Sequence, residues 1–476
     1  MEKRTLLTNA RVTTGEYSRL GALGIEGSVI YGIWLRDEGV LDDSAAIEAF
    51  PGAEVIDLGG KVLMAGAIDC HVHFREPGMT HKADMESESR MAILGGVTSF
   101  FDMPNTAPPT VSEEALRGKL DMAKGRCHAN YGFHIGATND NAEWIRAYVR
   151  KPDALPFGGI KVFMGSSTGN MLVDREEALT DLFRVKGRTI LTHCEDEGMI
   201  KANLAAAKNE YRALADDGSV IEDRIPFKAH PLIRSREACV KSTEKALELA
   251  IKYGAALHVL HVSTAEEVEM IREAKKSNPL ISCETSSNYL WFSDEDYDRF
   301  GSHVKCNPAI KSASDRAALR EGLADGTVDT LGSDHAPHLK AEKDKPYLSC
   351  PSGMPSIREA LSVAISVASG MNSAGKDPEA RPIPLTTIAK AYSENPAKIL
   401  GLDRRGKLEK GYYADLTVID PEEEYTVAKP DSRCGWSPYE GFRLKGRVKM
   451  VFLNGRVTVD NGRIVNPHAG VPLRTL

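Results

Sequence analysis

The sequence predicts an eight-stranded (β/α)8 TIM barrel flanked by a small β-sandwich that is built from both ends of the chain. Eight short, apolar, strand-like runs alternate with helical patterns between residues 62 and 337. On either side of this region the sequence shows short alternating strands separated by turn residues. Polar residues stand where several of the barrel runs end, as is typical of barrels whose active site lies at the carboxyl ends of the strands.

The predicted barrel occupies residues 62–400. Its eight strands are predicted at 62–74, 97–104, 129–137, 159–164, 189–194, 256–262, 280–285 and 330–333. Helical patterns between them include 83–94, 112–124, 141–150, 236–253, 265–275 and 314–323, and two later helices are predicted at 356–369 and 385–392. An open doubly wound sheet would show a similar alternation, but the Gly-x-Gly-x-x-Gly turn typical of its switch point is not found in the chain. The barrel is therefore the favoured architecture.

Residues 1–61 and 401–476 are predicted to pair into the flanking sandwich. Alternating runs at 28–35 and 54–58 precede the barrel, and runs at 415–420, 447–453 and 456–459 follow it. Asn454-Gly455 lies between the last two runs and is a strong hairpin signal. Each end is too short to enclose a good core by itself, so we expect the two ends to combine.

Composition excludes several classes of function. A net charge of −7 over 476 residues argues against a nucleic-acid binder, which normally presents a basic face. No uncharged apolar run reaches membrane-spanning length, and the N-terminus lacks the apolar core of a signal peptide. Eight dispersed Cys without a Cys-x-x-Cys are typical of a reducing compartment. We therefore expect a cytoplasmic protein that acts on a small molecule, with no nucleic-acid or membrane partner.

The first predicted strand ends in a motif with metal-binding potential, Asp69-Cys70-His71-Val72-His73-Phe74-Arg75-Glu76-Pro77-Gly78. Positions i and i+2 of a strand project from the same face, so His71 and His73 can bind one metal ion. Arg75 lies close enough in sequence to hold an anion beside that ion. A His-x-His pair also arises by chance in a chain of this length, so the motif alone does not establish a metal site.

Four other predicted strands carry metal-capable side chains at or near their ends: Lys161, His193, His261 and Asp334. The carboxyl ends of barrel strands meet on one rim, so these groups are expected to converge with the His-x-His pair. That coincidence favours a metal-dependent active site more strongly than any single motif. The alternatives are hydrogen-bonded core histidines, a helix cap at Asp334, and an ion pair of Lys161 with Asp334 or Glu195.

Together these motifs resemble the amidohydrolase superfamily, and within it the dihydroorotase branch. The motifs that carry the resemblance are the His-x-His run above, Met103-Pro104-Asn105-Thr106, and Asp334-His335-Ala336-Pro337-His338. Hydantoinases and allantoinases usually have other residues in place of the final Ala-Pro-His. The resemblance covers nearly the whole chain, including the flanking sandwich.

The resemblance implies two zinc ions per subunit, with a carbamate derived from carbon dioxide on Lys161 as their bridge. The implied ligands are His71, His73 and Asp334 for the first ion and His193 and His261 for the second. Four neutral imidazoles do not offset the charge of two divalent ions, whereas an anionic carbamate does so in part. Burial and nearby cations lower a lysine pKa and so supply the neutral amine that captures carbon dioxide.

The resemblance also implies a substrate site formed by His73, Arg75, Asn105, Asn307, His338, Ser352 and Gly353. Arg75 offers the bidentate fork that a carboxylate requires, and Asn105 and His338 would complete the contacts to that carboxylate. Asn307 and the Ser352-Gly353 backbone would contact the ring. The chain departs from the common pattern in Asn307-Pro308-Ala309-Ile310-Lys311, where the branch often reads Asn-Pro-Pro-Leu-Arg, and in Thr285-Ser286-Ser287-Asn288, where many relatives have a Pro-His-His run.

The implied reaction is the reversible hydrolysis of dihydroorotate to N-carbamoyl-L-aspartate, a step of de novo pyrimidine (UMP) biosynthesis. A metal-bridged hydroxide would be the nucleophile and Asp334 the general acid and base. Two alternatives remain: a cyclic amidase of the hydantoinase or dihydropyrimidinase type, and an inactive scaffold with the same fold. The scaffold is disfavoured because all six expected metal ligands are present. The general amidase is disfavoured because a substrate without a carboxylate would not need Arg75, Asn105 and His338 as partners for one. A homodimer or higher homo-oligomer is expected.

Overall fold

The structure, a computed structural model, describes residues 2–37, 42–165, 171–214, 220–221 and 223–476. The elements before the barrel are β1 Arg4–Thr13, β2 Ser18–Glu26, β3 Val29–Leu35, α1 Ser44–Ala49, β4 Glu54–Asp57 and β5 Val62–Ala65. The first half of the barrel comprises β6 Ala67–Val72, α2 Met85–Leu94, β7 Val97–Asp102, α3 Glu113–Ala123, β8 Asn130–Phe133, β9 Ile135–Gly136, α4 Ala142–Val149, β10 Ile160–Phe163, α5 Glu176–Phe183 and β11 Ile190–His193.

The second half of the barrel comprises α6 Glu197–Glu210, β12 Ala213–Leu214, β13 Val220–Ile221, α7 His230–Ile233, α8 Arg236–Tyr253, β14 Leu257–Val259, α9 Ala265–Ser277, β15 Ile281–Ser286, α10 Ser287–Trp291, α11 Asp296–Phe300, α12 Ala313–Asp325 and β16 Thr330–Gly332. Two 3-10 turns cover Phe227–Ala229 and Gly301–Val304. The remaining elements are α13 Lys340–Lys343, α14 Ala360–Ala368, β17 Met371–Asn372, β18 Gly375–Lys376, α15 Leu385–Ala389, a π-helical turn Lys390–Glu394, α16 Asn395–Leu400, β19 Leu416–Thr426, β20 Arg443–Leu453, β21 Arg456–Asp460 and β22 Arg463–Ile464.

Eight parallel strand positions close into a barrel. One sheet contains β6, β7 and β8, and a second runs from β9 through β10, β11, β14 and β15 to β16. The strands β8 and β9 are two halves of one position, interrupted at His134, and a parallel bridge between Val72 and His335 joins the last position to the first. These barrel strands are buried on both faces, as expected for parallel strands covered by helices. The predicted (β/α)8 barrel is confirmed.

The register of the parallel strands places their carboxyl ends level with one another. Phe163 at the end of β10 pairs with His193 at the end of β11, and Thr192 pairs with Val259 at the end of β14. Side chains at these ends, or just beyond them, therefore face a common rim. A capping box between Thr264 and Glu267 begins α9 and orders the segment that follows β14.

The two chain ends form one nine-stranded sheet in the order β22-β21-β20-β19-β5-β1-β2-β3, with β4 paired to β1. Strand β19 is antiparallel to both β5 and β20, so C-terminal strands continue the N-terminal sheet. Leu7, Leu23 and Leu416 are buried in a shared core. The predicted hairpin joins β20 to β21, with Asn454 and Gly455 both at positive φ as a type I′ turn requires. The predicted flanking β-sandwich built from both termini is confirmed.

The run at 62–74, predicted as one strand, is two strands in the structure. Strand β5 belongs to the terminal sheet and β6 begins the barrel, with Gly66 between them. The Gly66 N–H donates to Asp415 O, and a Cβ at position 66 would overlap the Thr98 side chain. The apolar residues continue across this break, so the sequence pattern shows no interruption. The limits 1–61, 62–400 and 401–476 for the three parts remain predictions.

Two further properties bear on the setting of the protein. Among the described residues, no helix is both long enough and apolar enough to cross a bilayer. All eight cysteines are buried and unpaired.

Candidate active site

One pocket at the carboxyl ends of the barrel strands is lined by all six residues predicted to bind metal: His71, His73, Lys161, His193, His261 and Asp334. They come from β6, β10, β11, β14 and β16, either within the strand or no more than two residues beyond its end. The convergence predicted from the strand ends is therefore present in the fold. The structure places five different strands around one small volume.

The first group consists of His71, His73 and Asp334. The Nε2 atoms of both histidines lie 3.3 Å from Asp334 Oδ1. One donor atom from each of the three residues lies within 4.8 Å of the other two, a spacing that can hold a metal ion. Imidazole nitrogens together with a carboxylate oxygen suit zinc and similar borderline ions.

The second group is the pair His193 and His261. His193 Nδ1 lies 2.8 Å from His261 Nε2, and the His261 ring lies 5.2 Å from that of His71. The two groups of donors are therefore adjacent. Burial lowers the pKa of both imidazoles, which keeps them neutral with a lone pair available for a metal.

Lys161 lies in the same pocket, and its ammonium nitrogen is buried without a hydrogen-bond partner among the described atoms. Burial lowers the pKa of Lys161 to about 7, so a large fraction of the amine is neutral near neutral pH. Within the described part of the chain, the alternative ion pair with Asp334 or Glu195 is not formed. A buried amine without a partner, beside two sets of metal donors, fits a carbamate that bridges two ions.

Two buried glutamates each contact one ring nitrogen of a histidine, on the side of the ring away from the other metal donors. Glu284 Oε1 lies 2.8 Å from His71 Nδ1, and Glu195 Oε2 lies 2.9 Å from His193 Nε2. When each glutamate is ionised and accepts from the ring nitrogen that does not face the other donors, the opposite nitrogen presents a lone pair toward the pocket. Burial raises the pKa of Glu195, but Arg234 and His193 outweigh burial and lower it to about 2.

Neither glutamate is among the predicted site residues, and the sequence suggests Glu195 only as an alternative ion-pair partner of Lys161. Glu195 stands two residues after His193, so an acidic side chain closely follows a predicted metal ligand in the sequence. Glu284 is a lone acidic residue in the buried strand β15, and a buried acid of this kind requires a partner. A role for both glutamates could therefore be predicted from the sequence if the histidines are assumed to be metal ligands.

Three residues of the site adopt left-handed backbone conformations: Arg75 at φ 67°, His261 at φ 40° and Asp334 at φ 47°. Such conformations cost on the order of 1–3 kcal/mol each for a residue with a side chain. All three stand just after a barrel strand, where the turn aims the side chain into the rim. Residue type does not predict this conformation at Arg75, whereas His and Asp adopt positive φ more often than other residues with side chains.

Arg75 is a buried cation that lines the same pocket. It is 2% exposed, its Nε donates to Pro337 O at 3.0 Å, and its Nη2 lies 3.0 Å from His338 Nε2. Burial lowers the pKa of Arg75 to about 10, so the guanidinium stays charged near neutral pH. Among the described residues, no carboxylate forms an ion pair with it. The geometry therefore leaves this charge available to an anionic ligand.

The other predicted substrate residues divide into two sets. Asn307, Ser352 and Gly353 line the pocket with Arg75, and Asn307 Oδ1 is buried without a hydrogen-bond partner among the described atoms. Asn105 and His338 stand behind the residues that line the pocket. Asn105 Oδ1 lies 2.9 Å from His73 Nδ1, and His338 Nδ1 lies 3.1 Å from Lys82 Nζ. Contacts of any of these residues with substrate remain predictions.

Comparison with known proteins identifies the family. The profile of the amidohydrolase family matches residues 62–458. The chain is 34% identical over 400 residues to a protein named dihydroorotase from Methanosarcina acetivorans, which covers 81% of this chain and 79% of that protein. It is 30% identical over 481 residues to a protein named allantoinase from Deinococcus radiodurans, covering 98% of each. This chain belongs to the amidohydrolase family.

A further relative and a solved structure are similar to this chain over nearly its whole length. A protein named dihydroorotase from Geobacter sp. is 31% identical over 434 residues, covering 90% of this chain and 95% of that protein. Among solved structures, L-hydantoinase from Arthrobacter aurescens superposes with a TM-score of 0.84 at 25% identity, and the alignment covers 100% of both chains. The barrel and the terminal sheet are thus shared with a solved amidase along their whole length.

The buried glutamate behind His71 provides a test of the metal site. Glu284→Gln should lower the affinity of metal-free protein for zinc by about 10-fold, because the amide holds His71 Nδ1 less strongly than the carboxyl group does. Glu88→Gln is the matched control, since Glu88 Oε2 holds His335 Nε2 at 2.7 Å in a buried pair of the same kind outside the pocket lining. Titration with zinc and a competing chelator measures both. Equal affinities in the two variants would contradict the assignment of His71 as a ligand.

Proposed function

We propose that this protein is a dihydroorotase, which interconverts dihydroorotate and N-carbamoyl-L-aspartate. The observation that carries the proposal is the position of Arg75, a buried guanidinium without a carboxylate partner among the described residues, in the same pocket as the histidine groups and Lys161. Dihydroorotate has a cyclic amide, which would lie near the metal-binding residues, and one carboxylate, which would bind Arg75.

The comparisons support the coarser statement that the chain is a cyclic amide hydrolase. Relatives at 34% and 31% identity are named dihydroorotase, whereas another relative is named allantoinase and a solved structure is named L-hydantoinase. The choice among these substrates depends on this chain's own residues. Arg75 and the motif that ends in His338 favour an anionic substrate over a neutral hydantoin ring.

The donors fit two divalent ions, for which we propose zinc with a carbamate on Lys161 as the bridge. When bound, the ions would polarise the ring carbonyl and lower the pKa of a water molecule to near neutral. His71 and His73 with Asp334 would hold one ion, and His193 and His261 the other. Glu284 and Glu195 orient the rings so that the correct nitrogens face these ions.

Asp334 has the position required of a general acid and base. Its carboxylate lies between the Nε2 atoms of His71 and His73 and lines the pocket, so it faces both the donors and the substrate volume. In ring opening it would accept a proton from the attacking water and return it to the ring nitrogen as the amide bond breaks. In the biosynthetic direction the same carboxylate would take the proton from the attacking nitrogen.

Arg75 would bind the substrate carboxylate through a bidentate, charge-assisted contact. His338 supports its Nη2, and Asn105 supports His73, so the residues behind the pocket fix the side chains that face it. We further propose that the protein acts in the cytoplasm in de novo pyrimidine synthesis, as a homodimer or a higher homo-oligomer.

The carboxylate contact is tested by Arg75→Met, which keeps an unbranched side chain and removes the charge. The variant should raise KM for dihydroorotate by about 100-fold with little change in zinc content, because a buried charge-assisted pair contributes several kcal/mol. Ring opening is followed by ultraviolet absorbance, and metal analysis of the same samples is the control. An unchanged KM in a variant that retains its zinc would exclude Arg75 as the carboxylate partner.

A further inference from the structure

Two buried lysines lie beneath the wall of the pocket formed by the Ser352-Gly353 backbone. Lys343 is 0% exposed, and its Nζ donates to three carbonyl oxygens: Lys305 O at 3.1 Å, Pro351 O at 3.0 Å and Gly353 O at 3.0 Å. Lys305 is 6% exposed, and its Nζ donates to Tyr347 O at 2.8 Å and Cys350 O at 2.6 Å. Both ammonium groups therefore fasten the segment that ends at the pocket.

The wall itself has little freedom to move. The Gly353 N–H donates to Lys305 O at 2.9 Å, and Gly353 has φ 140°, a conformation that side chains rarely permit. A Cβ at this position would lie 2.7 Å from Ala336 O. Gly353 is thus held from one side by Lys343 and Lys305 and packed on the other against Ala336, which also lines the pocket.

Both ammonium groups donate to carbonyl oxygens, three for Lys343 and two for Lys305, but among the described residues no negative charge neutralises them. Within the described ranges, no carboxylate lies within ion-pair distance of Lys305 Nζ or Lys343 Nζ, and Arg75 likewise lacks an acidic partner. Burial lowers the pKa of Lys343 to about 8, and the cations Lys305 and Arg75 contribute to the shift. Burying a charge without a counter-ion costs several kcal/mol. Stabilisation of the fold therefore does not by itself explain why these positions carry cations.

We propose that Lys343 and Lys305 are positioning residues that hold the Ser352-Gly353 wall and, through their buried positive charge, make the pocket selective for an anionic cyclic amide. The charge of a buried ammonium is weakly screened, so it acts on a ligand across the wall of the pocket. Arg75 then forms the direct contact to the substrate carboxylate, and the lysines add to the field in which that carboxylate binds. This inference rests on the proposed function, because it assumes a substrate with one negative charge.

The test compares an anionic substrate with a neutral one in Lys343→Met, which keeps the volume of the stem and removes the charge. Loss of the three hydrogen bonds to the wall should weaken the binding of both substrates. Loss of the charge should in addition raise KM for dihydroorotate by about 10-fold more than KM for dihydrouracil. Lys340→Met is the matched control: Lys340 is exposed on the same short helix α13, and its charge is screened by solvent. That control should leave both substrates unaffected.

The outcomes separate the two proposals. Equal loss for both substrates in Lys343→Met would show a purely structural role and overturn the inference, as would no loss for either. If Lys343→Met does not fold, Lys305→Met removes the other ammonium and should produce the same selective rise in KM for the anionic substrate. Wild-type protein that does not prefer dihydroorotate to dihydrouracil would overturn the proposed function, and that result is obtained before any variant is measured.

Discussion

Lys161→Ala is expected to abolish most activity and to reduce the zinc content of the purified protein from about two ions per chain. The reason is that Lys161 is the one predicted ligand shared by both groups of donors, and its buried amine has no hydrogen-bond partner among the described atoms. A bound metal contributes several kcal/mol of transition-state stabilisation, so we expect a loss of at least about 1,000-fold in kcat. Metal analysis and the ring-opening assay on the same sample measure the effect.

Chemical rescue distinguishes a lost bridge from a damaged fold. A short carboxylic acid such as acetate can occupy the space left by the carbamate, and its two oxygens can bind both ions. Acetate should therefore restore part of the activity and zinc content of Lys161→Ala, and it should not stimulate the wild-type enzyme. Full activity and full zinc content in Lys161→Ala without any added acid would refute the carbamate.

Asp334→Asn should lower kcat for dihydroorotate by about 1,000-fold, within the range of general acid–base catalysis. The amide has nearly the same shape as the carboxylate but does not accept the proton of the attacking water. Asp334 adopts φ 47°, and asparagine tolerates this left-handed conformation as well as aspartate does, so the backbone should be retained. This makes asparagine a better choice than alanine at this position.

The assay of Asp334→Asn requires zinc analysis in the same preparation, because the carboxylate is also an expected ligand. A variant with normal zinc and strongly reduced kcat would support the role in proton transfer. Normal zinc with normal turnover would remove Asp334 from that role. Loss of zinc together with activity would support the ligand role, and reloading with excess zinc would then be needed before kcat is compared.

Much of the fold was predictable because it rests on local patterns. The alternation of strands and helices indicated the barrel, and the Asn454-Gly455 turn indicated the C-terminal hairpin, which the structure confirms. The division of the run at 62–74 into β5 and β6 was not predictable, because the break at Gly66 depends on contacts with Thr98 and Asp415 that are distant in sequence. Pairings of this kind depend on the tertiary structure rather than on residue type.

The candidate site shows the same limit. The six expected metal ligands could be placed on one rim from strand ends alone, and the structure does bring them together. Glu284, which contacts His71, and Lys343, which holds the Gly353 carbonyl, come from parts of the chain whose proximity to the pocket is evident only after folding. The left-handed backbone at Arg75 likewise follows from how the chain leaves β6 and not from its residue type.

The most direct test of the central claim is the ratio of kcat/KM for dihydroorotate to that for dihydrouracil, with allantoin and hydantoin measured alongside. Dihydrouracil retains the cyclic amide and lacks the carboxylate, so the ratio isolates the contribution of Arg75 and the buried lysines. We expect zinc-loaded wild-type protein to prefer dihydroorotate by about 100-fold or more, since a desolvated charge pair contributes several kcal/mol. Equal use of the two substrates, or a preference for allantoin or hydantoin, would contradict the assignment as a dihydroorotase.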